Sequence, residues 1–110
     1  MLYAKVLGEI GDIRSFEPLY NSAQDDDRFV RWKSIWAVSL LKGNLEERIK
    51  EKILDGRTSE YMLWRCLWVL GRIGNSDTKK WLMDVDKLKK HKSKYIVYQL
   101  QATCAIIDNK

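Results

Sequence analysis

A chain of 110 residues that is 45% hydrophobic and 32% charged, with a formal net charge of +5, has the size of one domain and enough apolar material for a core, which excludes disorder as its default. It holds no run of about 18 apolar residues to span a bilayer, and the opening MLYAKVLGEIGD carries Lys5, Glu9 and Asp12, so neither a transmembrane helix nor a secretory signal is expected. One proline, six glycines and few alternating stretches argue against an all-β fold. Cys66 and Cys104 stand 38 residues apart with no CxxC and no adjacent histidine; neither a metal site nor a disulfide framework is indicated, no cofactor is expected, and the compartment reads as reducing and cytoplasmic.

In chain order, apolar residues at helical spacing predict seven helices, over about 2–10, 14–24, 27–41, 45–55, 59–73, 77–90 and 94–107. Phe16, Leu19, Tyr20 and Ala23 mark the second, and Leu45, Ile49 and Ile53 the fourth. Gly11 with Asp12, Gly43 with Asn44, and Gly74 with Asn75, Ser76 and Asp77 fit a left-handed helix end followed by an N-cap.

The helices repeat. FVRWKSIWAVSLLKGN, residues 29–44, aligns with YMLWRCLWVLGRIGNS, residues 61–76, at an offset of 32, pairing Phe29 with Tyr61, Trp32 with Trp64, Lys33 with Arg65 and Trp36 with Trp68. A third copy, YIVYQLQATCAIIDN, follows at an offset of 34 with Tyr95, Ile96, Tyr98, Ala102, Cys104 and Ile107 in the same columns. A partial copy opens the chain, where Val6, Leu7 and Ile10 fall over Ala37, Val38 and Leu41. A period of 31 to 34 with two helices per repeat predicts an all-α, right-handed α-α superhelix of about three and a half pairs, one domain over 1–110 with repeats at 1–11, 12–43, 44–75 and 76–110.

The pattern resembles the short HEAT-like repeats first described in phycobilisome lyases, in which an acidic turn leads into a Val-Arg helix that ends in Ala-Leu-Gly-x-Ile-Gly-Asp. Asp25, Asp26, Asp27, Val30, Arg31, Ala37, Val38 and Leu41 match it, and the ending recurs as Leu7, Gly8, Ile10, Gly11 and Asp12 and as Leu70, Gly71, Ile73 and Gly74. The Arg31 column holds Leu63 and Val97 in the later repeats. The resemblance implies a solenoid fold and leaves the function open.

At about 100° per residue, Val30, Ser34, Ala37, Val38 and Leu41 share the face the family packs, as do Cys66 and Cys104, which read as inert core thiols. Roughly opposite lie Phe29, Trp32, Lys33, Trp36 and Leu40, then Tyr61, Trp64, Arg65, Trp68 and Arg72, then Tyr95, Tyr98, Gln99 and Ala102. In solenoids of this type such columns line the concave surface. Two readings stand: tryptophans buried between neighbouring helices, or a groove whose rings anchor a partner and whose bases select it.

Residues 57–110 hold eleven Lys/Arg against five Asp/Glu, and Lys87, Lys89, Lys90, Lys92 and Lys94 flank His91, the only histidine. This cluster reads either as a solvated helix end or as an anion-binding patch. No catalytic motif is present, and no acid stands in the stripe beyond Glu60 near its start, so an enzyme is not expected. The expected function is a protein-protein interaction or scaffold module that takes a protein or peptide on the aromatic-basic face. The alternative is a nucleic-acid-binding module that uses the same stripe with the lysine cluster. Leu2, Val6, Leu7 and Ile10 at one end, and Ile96, Leu100, Cys104, Ile106 and Ile107 at the other, look uncapped, which suggests a longer array or self-association.

Overall fold

The computed structural model describes residues 11–110, whose regular structure is all helical, with no strand among them. The helix expected over 2–10 lies outside the described residues. A 3₁₀ turn, Ile13–Ser15, leads into α1 (Phe16–Ser22), followed by α2 (Arg28–Val38), α3 (Leu45–Leu54), α4 (Glu60–Ile73), α5 (Ser76–Met83), α6 (Asp86–Lys89) and α7 (Lys94–Asp108). The chain divides into two compact lobes between Arg48 and Ile49. No helix among the described residues is long and apolar enough to cross a membrane.

In the N-terminal lobe α1 lies against α2. Phe16 and Tyr20, one helical turn apart, stack at 5.4 Å and are buried with Leu19, Ala23, Ile35, Val38 and Leu41. The Asp27 carboxylate accepts from the Phe29 and Val30 N–H groups and starts α2. That helix ends at Val38, earlier than the spacing to Leu41 suggested. The Ser39 hydroxyl donates to the Trp36 carbonyl at 2.6 Å, and Leu40 and Leu41 make tighter turn bonds to Ala37 and Val38. Leu41 is buried all the same. Gly11 and Gly43 have φ of +71° and +102°, the left-handed backbone expected at both.

In the C-terminal lobe α4 packs most extensively on α7, and α5 and α6 also lie against α7. Cys66, Leu67, Val69 and Leu70 of α4 are buried, as are Ile96, Leu100, Cys104 and Ile107 of α7, while Ile106 is exposed. The helix expected over 77–90 is two helices: α5 stops at Met83, and Val85 turns extended (φ −89°, ψ 97°) before α6. Leu82 and Leu88 explain the break, since six residues of unbroken helix would point them roughly 120° apart whereas both are fully buried. Asn75 and Thr78 form a reciprocal capping box at the start of α5. Gly74, read from sequence as a left-handed end, is extended (φ −80°, ψ 171°). A Cβ there would come within 2.6 Å of the Leu70 carbonyl and 2.8 Å of Thr78, so close approach requires the glycine.

Candidate interaction groove

The starts of α4 and α7 make a groove. The Ser59 hydroxyl accepts from the Met62 N–H at 3.2 Å and opens α4, and His91 Nδ1 accepts from the Ser93 N–H at 3.0 Å in the turn before α7. The two helices run in the same direction, with residues 60–64 beside 95–99 and Leu67 beside Thr103. Between them lies a cavity of about 450 Å³ lined by Tyr61, Trp64, Tyr95, Tyr98, Ile96, Gln99, Ala102 and Glu60. Tyr95 and Tyr98 are 76% and 62% exposed, whereas Tyr61 and Trp64 are half-buried and form its inner wall.

Arg65 is committed to this wall. Its guanidinium lies 4.4 Å from the Trp64 ring centroid and 5.3 Å from that of Tyr61, and its Nε donates to the Tyr61 hydroxyl at 3.1 Å. Arg72 stacks on Trp68 at 5.4 Å, one turn along. In the N-terminal lobe the equivalent columns behave alike: Lys33 Nζ sits 5.0 Å over Phe29, and Trp32 and Trp36 meet at 5.9 Å. Phe29, Trp32 and Trp36 are 57%, 43% and 40% exposed, which is partial exposure rather than burial. Trp68 is half-buried.

The lysine cluster separates in space. Lys92 and Lys94, with Ser93, line a recess of about 520 Å³ that shares Glu60, Tyr95 and Tyr98 with the groove. Lys89 pairs with Asp86 at 3.4 Å and borders a different groove, beside Met83, Val97, Leu100 and Cys104. Lys87 and Lys90 are exposed and line neither. Sequence columns alone miss the juxtaposition of Glu60 with Lys92 and Lys94, because it depends on where the turn before α7 falls.

Both cysteines are buried and neither is in a disulfide, and burial pushes the Cys104 thiol pKa up. No group of three or more His, Cys, Asp or Glu side chains suited to holding a metal ion occurs among the described residues. Set against models of known protein families, curated proteins and solved structures, the chain matches none.

Proposed function

We propose that the chain is a non-enzymatic interaction module of short HEAT-like repeats that holds a protein or peptide partner in the groove between α4 and α7. The observation that carries this reading is the groove itself: four aromatic rings with the exposed Ala102 among them, two of the rings, Tyr95 and Tyr98, being well exposed. Tyrosine and tryptophan combine large rigid contact area with a polar tip, the chemistry of binding hot spots. Rings, an amide and a lone carboxylate suit contact rather than bond making. The same-direction packing of α4 and α7, with α5 and α6 between them in sequence, supports the repeat reading, since successive second helices of a solenoid lie side by side in this way. Phe29, Trp32, Lys33 and Trp36 offer a comparable patch on the N-terminal lobe.

Co-purification with tagged wild-type protein and with a Tyr98→Ala variant tests the reading. A partner retained by the first and lost from the second, with unchanged helical circular dichroism, is the expected result; equal capture by both sinks it. A second reading, single-stranded nucleic acid, is favoured by Lys92 and Lys94 beside stackable rings. Titrating a labelled mixed-sequence single strand at low and moderate salt separates the two, because micromolar binding that weakens steeply with salt would put nucleic acid first.

A further inference from the structure

We propose that the occupant of the α4–α7 groove is an acidic peptide segment, one that seats an apolar or aromatic side chain between Trp64 and Tyr98 and sets carboxylates against Lys92 and Lys94. This rests on the groove being a binding site and adds the chemistry of what it binds.

Three observations lead to it. The apolar groove and the basic recess share Glu60, Tyr95 and Tyr98, so the two are adjacent and one extended ligand can contact both. Lys92 and Lys94 form no ion pair with any described residue, so their charges are uncommitted, unlike that of Lys89. The lobe from residue 49 onward carries thirteen Lys/Arg against seven Asp/Glu, and a field of that sign speeds the approach of an acidic segment and suppresses a basic one.

Glu60 decides between a peptide and a polyanion. It lines both cavities, so a ligand that occupies the two comes close to its carboxylate. A nucleic-acid strand carries a phosphate at every step and would bring one against this carboxylate. A peptide places its acids discretely and offers backbone N–H donors that the Glu60 carboxylate accepts. The exposed Ala102, among the rings, offers apolar contact to a side chain that needs no hydrogen bond.

Random peptides displayed on phage and selected on the immobilised full chain test this. Enriched peptides should combine a large apolar residue with nearby Asp or Glu. A synthetic copy should bind about tenfold or more weakly to Tyr98→Ala, and by a similar factor to Lys92→Glu/Lys94→Glu. All these positions are exposed, so the variants should keep wild-type circular dichroism. Neutral or basic peptides that still depend on Tyr98 would overturn the acidic occupant and leave the groove reading standing. No enrichment, or binding indifferent to Tyr98, would overturn both. Displacement of the peptide by unlabelled oligothymidylate at moderate salt would overturn the peptide in favour of nucleic acid.

Discussion

The Thr103 hydroxyl of α7 donates to the Leu67 carbonyl of α4 at 2.8 Å, deep in the contact between the two helices that form the groove. It also accepts from Gln99 Nε2 at 3.2 Å, which ties a groove-lining amide to the same point. Thr103→Val keeps the shape and removes both bonds. The Leu67 carbonyl lies within α4, where a helical N–H remains available to it, and half-exposed Gln99 turns to water, so the expected loss is about 1 kcal/mol. Urea unfolding would show a lower midpoint at unchanged slope; an unaltered midpoint would mean the bond adds nothing to the interface.

Gly71 and Gly74, three residues apart, should respond in opposite directions to alanine. A Cβ at Gly71 meets Thr103 at 3.6 Å, ordinary contact, and the residue is helical, so Gly71→Ala should stabilise by about 0.5–1 kcal/mol. Gly74→Ala drives a methyl into the Leu70 carbonyl and Thr78, which also holds the α5 capping box, and should cost about 2 kcal/mol or more. Thermal melts of the two variants decide it; a shift of the same sign in both would contradict this account.

The helices were legible from apolar spacing, reinforced at Asn75 by the cap that the sequence also offered, whereas the caps Asp27 and Ser59 came from the structure. The repeat offset of 34 set Tyr61 over Tyr95, and the structure places both, with Trp64 and Tyr98, in one groove. What escaped were features set by tertiary contact. The stretch MDVDKLKK contains no glycine or proline, so nothing local announces the break at Val85 that buries both Leu82 and Leu88. Gly74 looks like a left-handed helix end until Thr78 is seen against it. The lysine run likewise gives no hint that Lys92 and Lys94 line one recess with Glu60 while Lys89 borders another groove.

Two turns share a device that acid should expose. Asp12 and Asp55 each accept from the backbone N–H two residues on, at 2.9 Å, and from the guanidinium of that same residue, Arg14 or Arg57. The arginine hydrogen bonds hold both carboxyl pKa values below the ordinary aspartate range. Since the folded values lie below the unfolded ones, whatever these turns add to stability is complete above the ordinary carboxylate range and disappears as pH falls through the folded values. Carboxyl carbon shifts followed by NMR should titrate low for both. Arg14→Gln should return Asp12 upward and leave Asp55 in place; an unmoved Asp12 would remove the arginine as the cause.

The groove residues should divide by stability cost in a way that separates contact surface from core. Tyr98 and Tyr95 are exposed, so alanine at either should cost under about 1 kcal/mol. Trp64 is half-buried, packs at 6.1 Å against Tyr61 and carries Arg65 on its ring, so Trp64→Ala should cost about 2–3 kcal/mol. Trp64→Phe keeps a ring for Arg65 and should recover part of that loss. Chemical denaturation of the three alanine variants and the phenylalanine variant checks the order. A Tyr98→Ala cost equal to that of Trp64→Ala would mean that Tyr98 is a structural prop, and the outer wall of the groove would then serve the fold rather than a partner.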